Sequence, residues 1–319
     1  MNRTLIVYQS KYGSVKKIAE KLALILGPAA VITPSDFADK YRDFDNVVIG
    51  SPIYNEQILD EIKEFIQNNT AWLKTKKIAL FTVSLSPSNE EFFLDQLELL
   101  GGSVVWQGGF GGLYDPKAMN ETDRLAMERF AQITGFCNTY INSADEAKLV
   151  EKAIEIKRIL KNNTGMPQDK LRKYMEEFLT SHNTCTLCTG HHKEVRATPI
   201  EYMYADDALY FFTEGGEKFA HILVNPQVSV AVYDNYAGFK KLGGLQITGT
   251  AGIIVEGSDE YMHIASRKGL NSAQLKSLPV VLHMIKVHLH TCEILSSEIG
   301  RDGYDVRQTV TFDKIQMYQ

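Results

Sequence analysis

The stretch Leu5-Ile6-Val7-Tyr8-Gln9-Ser10-Lys11-Tyr12-Gly13-Ser14-Val15 decides how the first half of this chain folds. Its first four residues are typical of a short buried strand, and the polar residues after them predict a loop. Over residues 15–26 apolar side chains recur at helical spacing, and Gly27-Pro28 supplies a stop signal. A loop before a helix N-terminus presents unpaired N–H groups and the positive end of the helix dipole. The stretch therefore predicts a site for a phosphate monoester.

The same alternation of strand, loop and helix continues along the first half of the chain. Nearly continuous apolar runs, typical of parallel strands covered on both faces, lie at residues 47–50, 78–83 and 104–106. Helical patterns follow them at residues 58–66, 92–100 and about 121–139. The pattern predicts an α/β, doubly wound domain with a five-stranded parallel sheet, in which ligands bind beyond the carboxyl ends of the strands.

The loops at those strand ends resemble the flavin-binding loops of flavodoxins. Ser10 to Val15 resembles the family's phosphate loop, and Gly50-Ser51-Pro52-Ile53-Tyr54 resembles its first isoalloxazine loop. The closest branch is similar to the short flavodoxin domains of the protoporphyrinogen-oxidase type. The resemblance implies FMN as the ligand, held by Ser10, Lys11, Tyr12, Gly13, Ser14, Val15, Pro52, Ile53, Tyr54, Asn55, Ser84 and Leu85.

The loops also depart from the flavodoxin pattern. Tyr12 and Val15 stand where the family has threonines, which leaves Ser10, Ser14 and backbone N–H groups for the phosphate. The loop after the fourth strand lacks the usual aromatic residue, so Tyr54 is the one evident ring for the flavin. The absence of a G-x-G-x-x-G motif with a downstream acid favours FMN over a dinucleotide. A flavodoxin-like fold with an empty site is the alternative.

The second half of the chain changes to short strands with tight turns. Strand candidates lie at residues 185–189, 195–204, 209–213, 228–233, 245–255 and 285–295. A helical pattern marked by Leu171, Met175 and Phe178 precedes them. Six strands with short connections predict an antiparallel split β-barrel with flanking helices.

A breaker sequence, Asn162-Asn163-Thr164-Gly165-Met166-Pro167, separates the two textures. The amphipathic pattern before it carries Leu149, Ala153, Ile156 and Leu160 on one side. We therefore expect a flavodoxin-like domain over residues 1–143, a helical linker over 144–167 and a barrel domain over 168–319. A length of 319 residues suits two domains.

The order of motifs in the second half resembles the FMN-binding split barrels related to pyridoxamine 5′-phosphate oxidase. The likeness rests on residues 196–202, 209–218, 225–230 and 246–251. The resemblance implies a homodimer with FMN at the subunit interface, contacted by Arg196, Ala197, Thr198, Pro199, Thr213, Lys218, Gln246 and Thr248. Chemically, Arg196 lies on a strand and Lys218 opens a short helix, where ammonium and helix dipole both favour phosphate. The alternative is that both are ordinary surface charges.

Composition and charge exclude several classes of protein. The net charge of −5 gives no electrostatic footprint for nucleic acid, and no apolar run approaches the length that spans a bilayer. The chain begins without a signal-peptide pattern, so we expect a cytoplasmic location. Four cysteines are too few for a disulfide scaffold, and we expect reduced thiols.

Two groups of cysteine and histidine invite a metal interpretation, but the sequence predicts no metal site. Cys185 and Cys188 have C-x-x-C spacing with His191 and His192 close behind, yet residues i and i+3 of a strand point to opposite faces. A second group, His288, His290 and Cys292, shares one face of a regular strand. A half-buried strand face that carries imidazoles is nevertheless the commoner structure.

These features predict an FMN-dependent oxidoreductase that binds two FMN molecules per chain. The flavodoxin-like domain would pass electrons to the split-barrel domain, which would act on a small-molecule substrate or redox partner. The alternative is a non-catalytic flavin-binding or electron-carrier protein. Split barrels of this family also bind haem or deazaflavin, so the resemblance leaves the second ligand open. The sequence identifies no catalytic residue and no substrate.

Overall fold

The computed structural model describes residues 3–54, 56–85, 93–161 and 164–312. The chain divides into two compact units, Met1–Asn162 and Asn163–Gln319, each with its own hydrophobic core. Within the described ranges, none of the helices combines the length and the apolar content that crossing a bilayer requires.

The first unit alternates strands and helices, as its apolar periodicity predicts. In chain order its elements are β1 (Thr4–Tyr8), α1 (Ser14–Leu26), β2 (Ala29–Ile32), β3 (Asn46–Tyr54), β4 (Gln57–Ile58), α2 (Asp60–Leu73), β5 (Lys77–Ser84), α3 (Leu94–Leu100), β6 (Val104–Gly111), β7 (Leu113–Tyr114), α4 (Glu121–Thr134), β8 (Ile141–Asn142) and α5 (Glu146–Leu160).

Five of these strands form a parallel sheet in the order β2-β1-β3-β5-β6, which confirms the predicted doubly wound α/β fold. The short β4 pairs antiparallel with the end of β3. Strand order reverses between β1 and β3, where Val7 pairs with Ile49 and Tyr8 with Gly50. The loops after β1 and β3 therefore flank the switch point, where doubly wound sheets bind ligands.

Helices cover both faces of the parallel sheet. Ile6 and Phe81 pack towards α1 and α5, whereas Leu5 and Leu80 pack towards α2 and α3. The stripe of α5, which consists of Leu149, Ala153, Ile156 and Leu160, is buried in the first of these cores. The segment that the sequence indicates as a linker helix thus belongs to the first unit, because an apolar stripe of this width requires a partner surface.

The second unit consists of strands with helices at its margins. Its elements are α6 (Gln168–Ser181), β9 (Thr184–His191), β10 (Glu194–Glu201), β11 (Met203–Ala205), β12 (Ala208–Thr213), α7 (Glu217–Val224), β13 (Gln227–Tyr233), β14 (Gly243–Ile254), α8 (Asp259–Arg267), α9 (Ser272–Ser277), β15 (His283–Ser296), α10 (Ser297–Arg301) and β16 (Arg307–Thr311).

These strands form a curled antiparallel sheet in the order β10-β9-β13-β14-β15-β12-β11, with β16 beside β15. The half-barrel architecture predicted for this region is confirmed. Side chains alternate along each strand, so that Leu187, Val230 and Ile247 face a core that α6 covers. The opposite side of β9, β13 and β14 is called the outer face below.

A β-bulge interrupts the pairing of β14 with β15. Thr248 pairs with Thr291 but the next residue, Gly249, pairs with Leu289, so His290 is the extra residue. The bulge reverses the facing of every residue after it. Cys292 consequently lies fully buried in the core, while His288 and His290 are half-buried on the other side. The expectation that His288, His290 and Cys292 share one strand face is therefore wrong.

Candidate functional site

The loop between β1 and α1 has the backbone geometry of an anion site. Gly13 lies in the left-handed region at φ 85°, immediately before the first helical residue, Ser14. No side chain caps the helix, and its first turn contains no acidic residue. The positive end of the α1 dipole therefore has no internal counter-charge within its own first turn.

Hydrogen bonds within this loop distinguish the two serines that were predicted to contact phosphate. The Gly13 N–H donates to Ser10 Oγ over 3.0 Å, which leaves the Ser10 hydroxyl proton able to donate elsewhere. The Ser14 hydroxyl instead exchanges hydrogen bonds with the backbone of Leu113 on β7, at 3.3 and 3.4 Å. The Val15 side chain is buried in the core, so only its backbone can reach a ligand.

Asp123, at the start of α4, binds two side chains of the phosphate loop. Lys11 Nζ lies 2.5 Å from its Oδ2 atom, and the Tyr12 hydroxyl donates to the same oxygen. The hydrogen bond from Lys11, followed by that from Tyr12, lowers the pKa of Asp123, and the same contact raises the pKa of Lys11. The sequence gives no indication of Asp123, because it lies in the segment between β6 and α5, far from the phosphate loop along the chain.

The other predicted contacts of the first site lie at the same edge of the sheet. Tyr54 ends β3, and its ring meets the Tyr12 ring edge-on at a centroid distance of 6.4 Å. Burial raises the pKa of Tyr54 to about 12. Pro52 pairs with Val83 of the neighbouring strand, which brings Ile53 beside the end that carries Ser84 and Leu85. Asn55 lies outside the described residues.

In the second unit, two cations meet at the start of α7. Arg196 of β10 donates to Glu217, and Lys218 is 8% exposed with its ammonium donating to the Gly215 carbonyl. Burial, followed by the charge of Arg196, lowers the pKa of Lys218. The helix begins after Gly216 at φ 110° without a side-chain cap. An anion placed here would relieve the repulsion between the two cations.

Thr198 supplies an independent indication of a ligand beside this pair. It lies two residues after Arg196 on β10, and therefore on the same face. Its Oγ1 atom is buried without a hydrogen-bond partner among the described residues. Buried hydroxyls are almost always hydrogen-bonded, so an orphan of this kind fits an oxygen-rich ligand. Thr213 ends β12 and opens the loop that leads to Lys218.

The remaining predicted contacts lie elsewhere on the sheet. Gln246 and Thr248 are exposed on the outer face of β14, which is separated from β10 by β9 and β13. Ala197 and Pro199 also alternate to the outer face. The structure thus places Arg196 and Thr198 on one strand face with Lys218 near Arg196, and separates these three residues from Gln246 and Thr248.

Two cavities lie near the predicted sites without coinciding with them. The larger, of about 610 Å³, lies between α1, α5 and the β7–β8 ribbon and shares only Ser14 with the predicted contacts. The smaller, of about 370 Å³, lies on the outer face and includes Cys188 and Thr248. The prediction that the two cysteines of the C-x-x-C pair point to opposite faces is confirmed. Cys185 is buried in the core, and Cys188 lies on the opposite face of β9.

The model of a flavodoxin domain family matches residues 5–138, and that of pyridoxamine 5′-phosphate oxidase matches residues 171–288. No curated protein matches the chain.

Similar solved structures include an FAD-binding protein from Mesorhizobium loti, with 20% identity over 38% of this chain and 90% of that chain (TM-score 0.30). HutZ, a heme storage protein from Vibrio cholerae, is 14% identical over 38% of this chain and 90% of its own (TM-score 0.33). An FAD-binding protein from Mycobacterium smegmatis is 18% identical over 36% and 87% (TM-score 0.29).

The two family matches cover most of the described chain and coincide with its two compact units. Each match also agrees with the fold of its own unit, a five-stranded parallel sheet in one and an antiparallel half-barrel in the other. Together they support flavin binding. The chain is a fusion of a flavodoxin-like domain and a domain of the pyridoxamine 5′-phosphate oxidase type.

Proposed function

We propose that this protein is an FMN-dependent oxidoreductase in which the flavodoxin-like domain passes electrons to the split-barrel domain. The split-barrel domain would act on a small-molecule substrate or redox partner. Bound flavin would supply the redox chemistry, and the protein would supply placement and electrostatics.

One observation carries the proposal: each unit has an uncapped helix start next to a cation. Helix α1 begins after Gly13 with Lys11 in its loop, and α7 begins after Gly216 with Arg196 and Lys218 beside it. Both glycines have positive φ, and neither helix has a side-chain cap. Unpaired N–H groups, a helix dipole and a nearby ammonium or guanidinium together favour a phosphate group.

We propose FMN as the ligand of both sites, two molecules per chain. In the first unit, the Ser10 hydroxyl and the backbone of residues 13–15 would hold the phosphate, and Tyr54 would contact the flavin ring. In the second unit, Arg196 and Lys218 would hold the phosphate, and the unpaired Thr198 hydroxyl would donate to the ligand. A phosphate dianion suits both sets of donors because they are cationic or N–H and O–H groups.

We further propose that the split barrel works as a homodimer. Two rows of uncharged residues cross the outer face, each with one residue from β10, β9, β13 and β14. The first row consists of Ala197, Cys188, Ser229 and Thr248, and the second of Pro199, Thr186, Ala231 and Gln246. Depletion of charge is the compositional mark of an interface core.

The cysteines support the cytoplasm as the expected location of this activity. All four, Cys137, Cys185, Cys188 and Cys292, are free thiols, as the sequence predicts. Reduced thiols of this kind are typical of proteins kept in a reducing compartment.

Flavin content measured on the purified, FMN-saturated protein tests the proposal. We expect two FMN per chain in the native protein and one in the double variant Arg196→Ala/Lys218→Ala. Each lost charge-assisted hydrogen bond costs about 1.5–3 kcal/mol. The matched control, Lys240→Ala/Lys241→Ala, removes two exposed lysines from the same unit and should retain both flavins.

Full flavin content in the Arg196/Lys218 double variant would contradict the second site. A saturated value of one in the native protein would show that one unit has lost its cofactor, and the altered phosphate loop makes the first unit the expected one. Either result would contradict the proposed electron transfer between two bound flavins.

A further inference from the structure

The larger cavity, of about 610 Å³, lies in the first unit beside the phosphate loop. Its walls are α1, the start of α5, the end of β6 and the β7–β8 ribbon. Apart from Ser14, it includes none of the residues predicted to contact flavin. Small-molecule sites have volumes of about 300–1,000 Å³. The cavity is therefore large enough to hold a ligand of its own.

Glycines at the end of β6 create this space. The wall is formed by Gly109-Phe110-Gly111 and by Gly112, which follows β6. A Cβ atom on Gly111 would lie 1.9 Å from the Ser143 carbonyl oxygen, so the chain after β8 crosses the end of β6 with the two backbones in contact. Because three of these four wall residues have no side chain, the space beside the crossing stays unfilled.

Apolar side chains form the floor and part of the rim. Ile18, Phe110 and Leu149 belong to the core and line the cavity from below. Leu24 of α1 and Tyr140 also line it, and they are 85% and 61% exposed. An apolar ligand body that displaces water from these groups would bind favourably.

Lys152 of α5 provides a positive charge at the same floor. Its ammonium donates to the Gly109 carbonyl over 2.6 Å and lies 5.5 Å from the centroid of the Phe110 ring. An ammonium has three N–H donors, so two remain for a ligand. Lys152 is half-buried, and within the described ranges it has no carboxylate partner. The charge is thus held in position without being neutralised.

The carboxylates that line the cavity are engaged elsewhere. Glu146 pairs with Lys21 over 2.6 Å, and Asp145 caps α5 by accepting a hydrogen bond from the backbone N–H of Lys148. This backbone hydrogen bond lowers the pKa of Asp145. Glu20 forms its ion pair with a lysine outside the cavity. The charge left for a ligand to complement is therefore positive.

We propose that this cavity binds a small organic anion, with the anionic group on Lys152 and an apolar body against Phe110 and Leu149. The site is separate from the flavin site, because the cavity does not include Tyr54, the predicted ring contact. Ser14, the first residue of α1, borders both sites. The anion would therefore lie beside the flavin phosphate without replacing it.

Calorimetric titration of the FMN-saturated full chain with 2-naphthoate tests the site, and neutral 2-naphthamide tests the role of charge. We expect one naphthoate per chain and at least about tenfold weaker binding of the amide. Lys152→Met, which keeps the length of the side chain, should weaken naphthoate binding about 10–100-fold. Lys157→Met is the matched control and should leave it unchanged. Lys157 also donates to a backbone carbonyl, that of Ile25, but it does not line the cavity.

A second pair of variants tests the location by filling the cavity. Ala144 is exposed and lines it, so Ala144→Trp should abolish naphthoate binding. Ala147 is exposed on the first turn of α5 outside the cavity, and Ala147→Trp should bind naphthoate normally. An unchanged midpoint of thermal unfolding in each variant separates lost binding from lost structure.

Four results would overturn the proposal. They are the absence of naphthoate binding, equal affinity for naphthamide, unchanged affinity in Lys152→Met or Ala144→Trp, and release of FMN as naphthoate binds. The last result would assign naphthoate to the flavin site. Comparison of the two ligands on the native protein needs no variant, so the role of charge is tested even where a substitution disturbs folding.

Discussion

Gly13 sets the direction of the backbone where the β1 loop becomes α1. A side chain at this position would meet no atom within 4 Å, so space does not require glycine. The requirement is its φ of 85°, which a β-branched residue adopts only at a cost. A larger residue at position 13 would therefore be disfavoured by the backbone conformation and not by contact with neighbouring atoms.

Gly13→Val should lower the free energy of unfolding of the first unit by about 1–2 kcal/mol. It should also remove one flavin per chain, because the loop N–H groups would no longer converge. Gly102→Val is the matched control, since Gly102 also has open space around it and no positive φ. Denaturant titration measures the free energy of unfolding, and flavin quantification measures the flavin content. Equal losses in Gly13→Val and Gly102→Val would contradict the role of the positive φ at Gly13.

Lys218 and Lys11 should give the two flavin sites different responses to alkali. The protonated ammonium binds phosphate, and burial with Arg196 lowers the pKa of Lys218 below the ordinary 10.5. The pKa of Lys11 is raised by its hydrogen bond to Asp123. As the pH rises, Lys218 therefore loses its charge first, and affinity at the barrel site should fall before that at the phosphate loop.

Flavin fluorescence recorded along an alkaline titration would measure this order of release. Lys218→Arg should abolish the early phase, because a guanidinium keeps its charge throughout the range. Simultaneous release from both sites in the native protein, or an early phase that persists in Lys218→Arg, would contradict the role of Lys218.

The four thiols should react in an order set by burial. Burial raises the pKa of Cys185 and of Cys292 to about 12, so both remain protonated and shielded near neutral pH. Cys137 is exposed and should be alkylated first, followed by the half-buried Cys188. Mass spectrometry after brief iodoacetamide treatment would read this order. Early labelling of Cys292 would show that it does not lie in the core.

At the scale of elements, apolar periodicity predicts the helices and strands whose positions depend on the local sequence. The residue-15 stripe predicts α1 to within one residue, and the alternating run near residue 228 predicts β13. Periodicity does not predict the bulge at His290, because one extra residue leaves no local signature but reverses the face of Cys292. It predicts the buried stripe of α5 but does not indicate which elements cover that stripe.

The candidate sites divide in the same way between local and distant contributions. The contacts within one loop, Ser10 to Ser14, follow from the strand–loop–helix pattern. Asp123 does not, because its contact with Lys11 spans more than a hundred residues of sequence. Thr189 of β9 and His221 of α7 are likewise 32 residues apart in sequence, and only the fold brings their side chains into contact.

The outer face of the half-barrel should carry the dimer. Ser229 is exposed at the centre of an uncharged row, so Ser229→Arg would bury a charge in each copy of a paired face. We expect the native protein to be a dimer and the variant a monomer by light scattering. Ser272→Arg, the same change on exposed helix α9, should remain a dimer. A native monomer would contradict this interface.

At the scale of the whole molecule, two compact units share one chain through a short connection. Helix α5 ends at Leu160 and α6 begins at Gln168. A tether this short holds two partners at a high effective concentration, so the proposed electron transfer between them would be independent of protein concentration. The cores also indicate where the chain can be divided, which is after α5, since α5 completes the first unit.

The direct test of the relay is anaerobic stopped-flow reduction of the intact protein and of a mixture of fragments 1–161 and 164–319, each loaded with FMN. The intact chain should show flavin-to-flavin transfer at a rate that does not change on dilution, whereas the rate in the mixture should fall in proportion to concentration. Equal, concentration-dependent rates in both samples would contradict the account and leave two flavin-binding domains that merely share a chain.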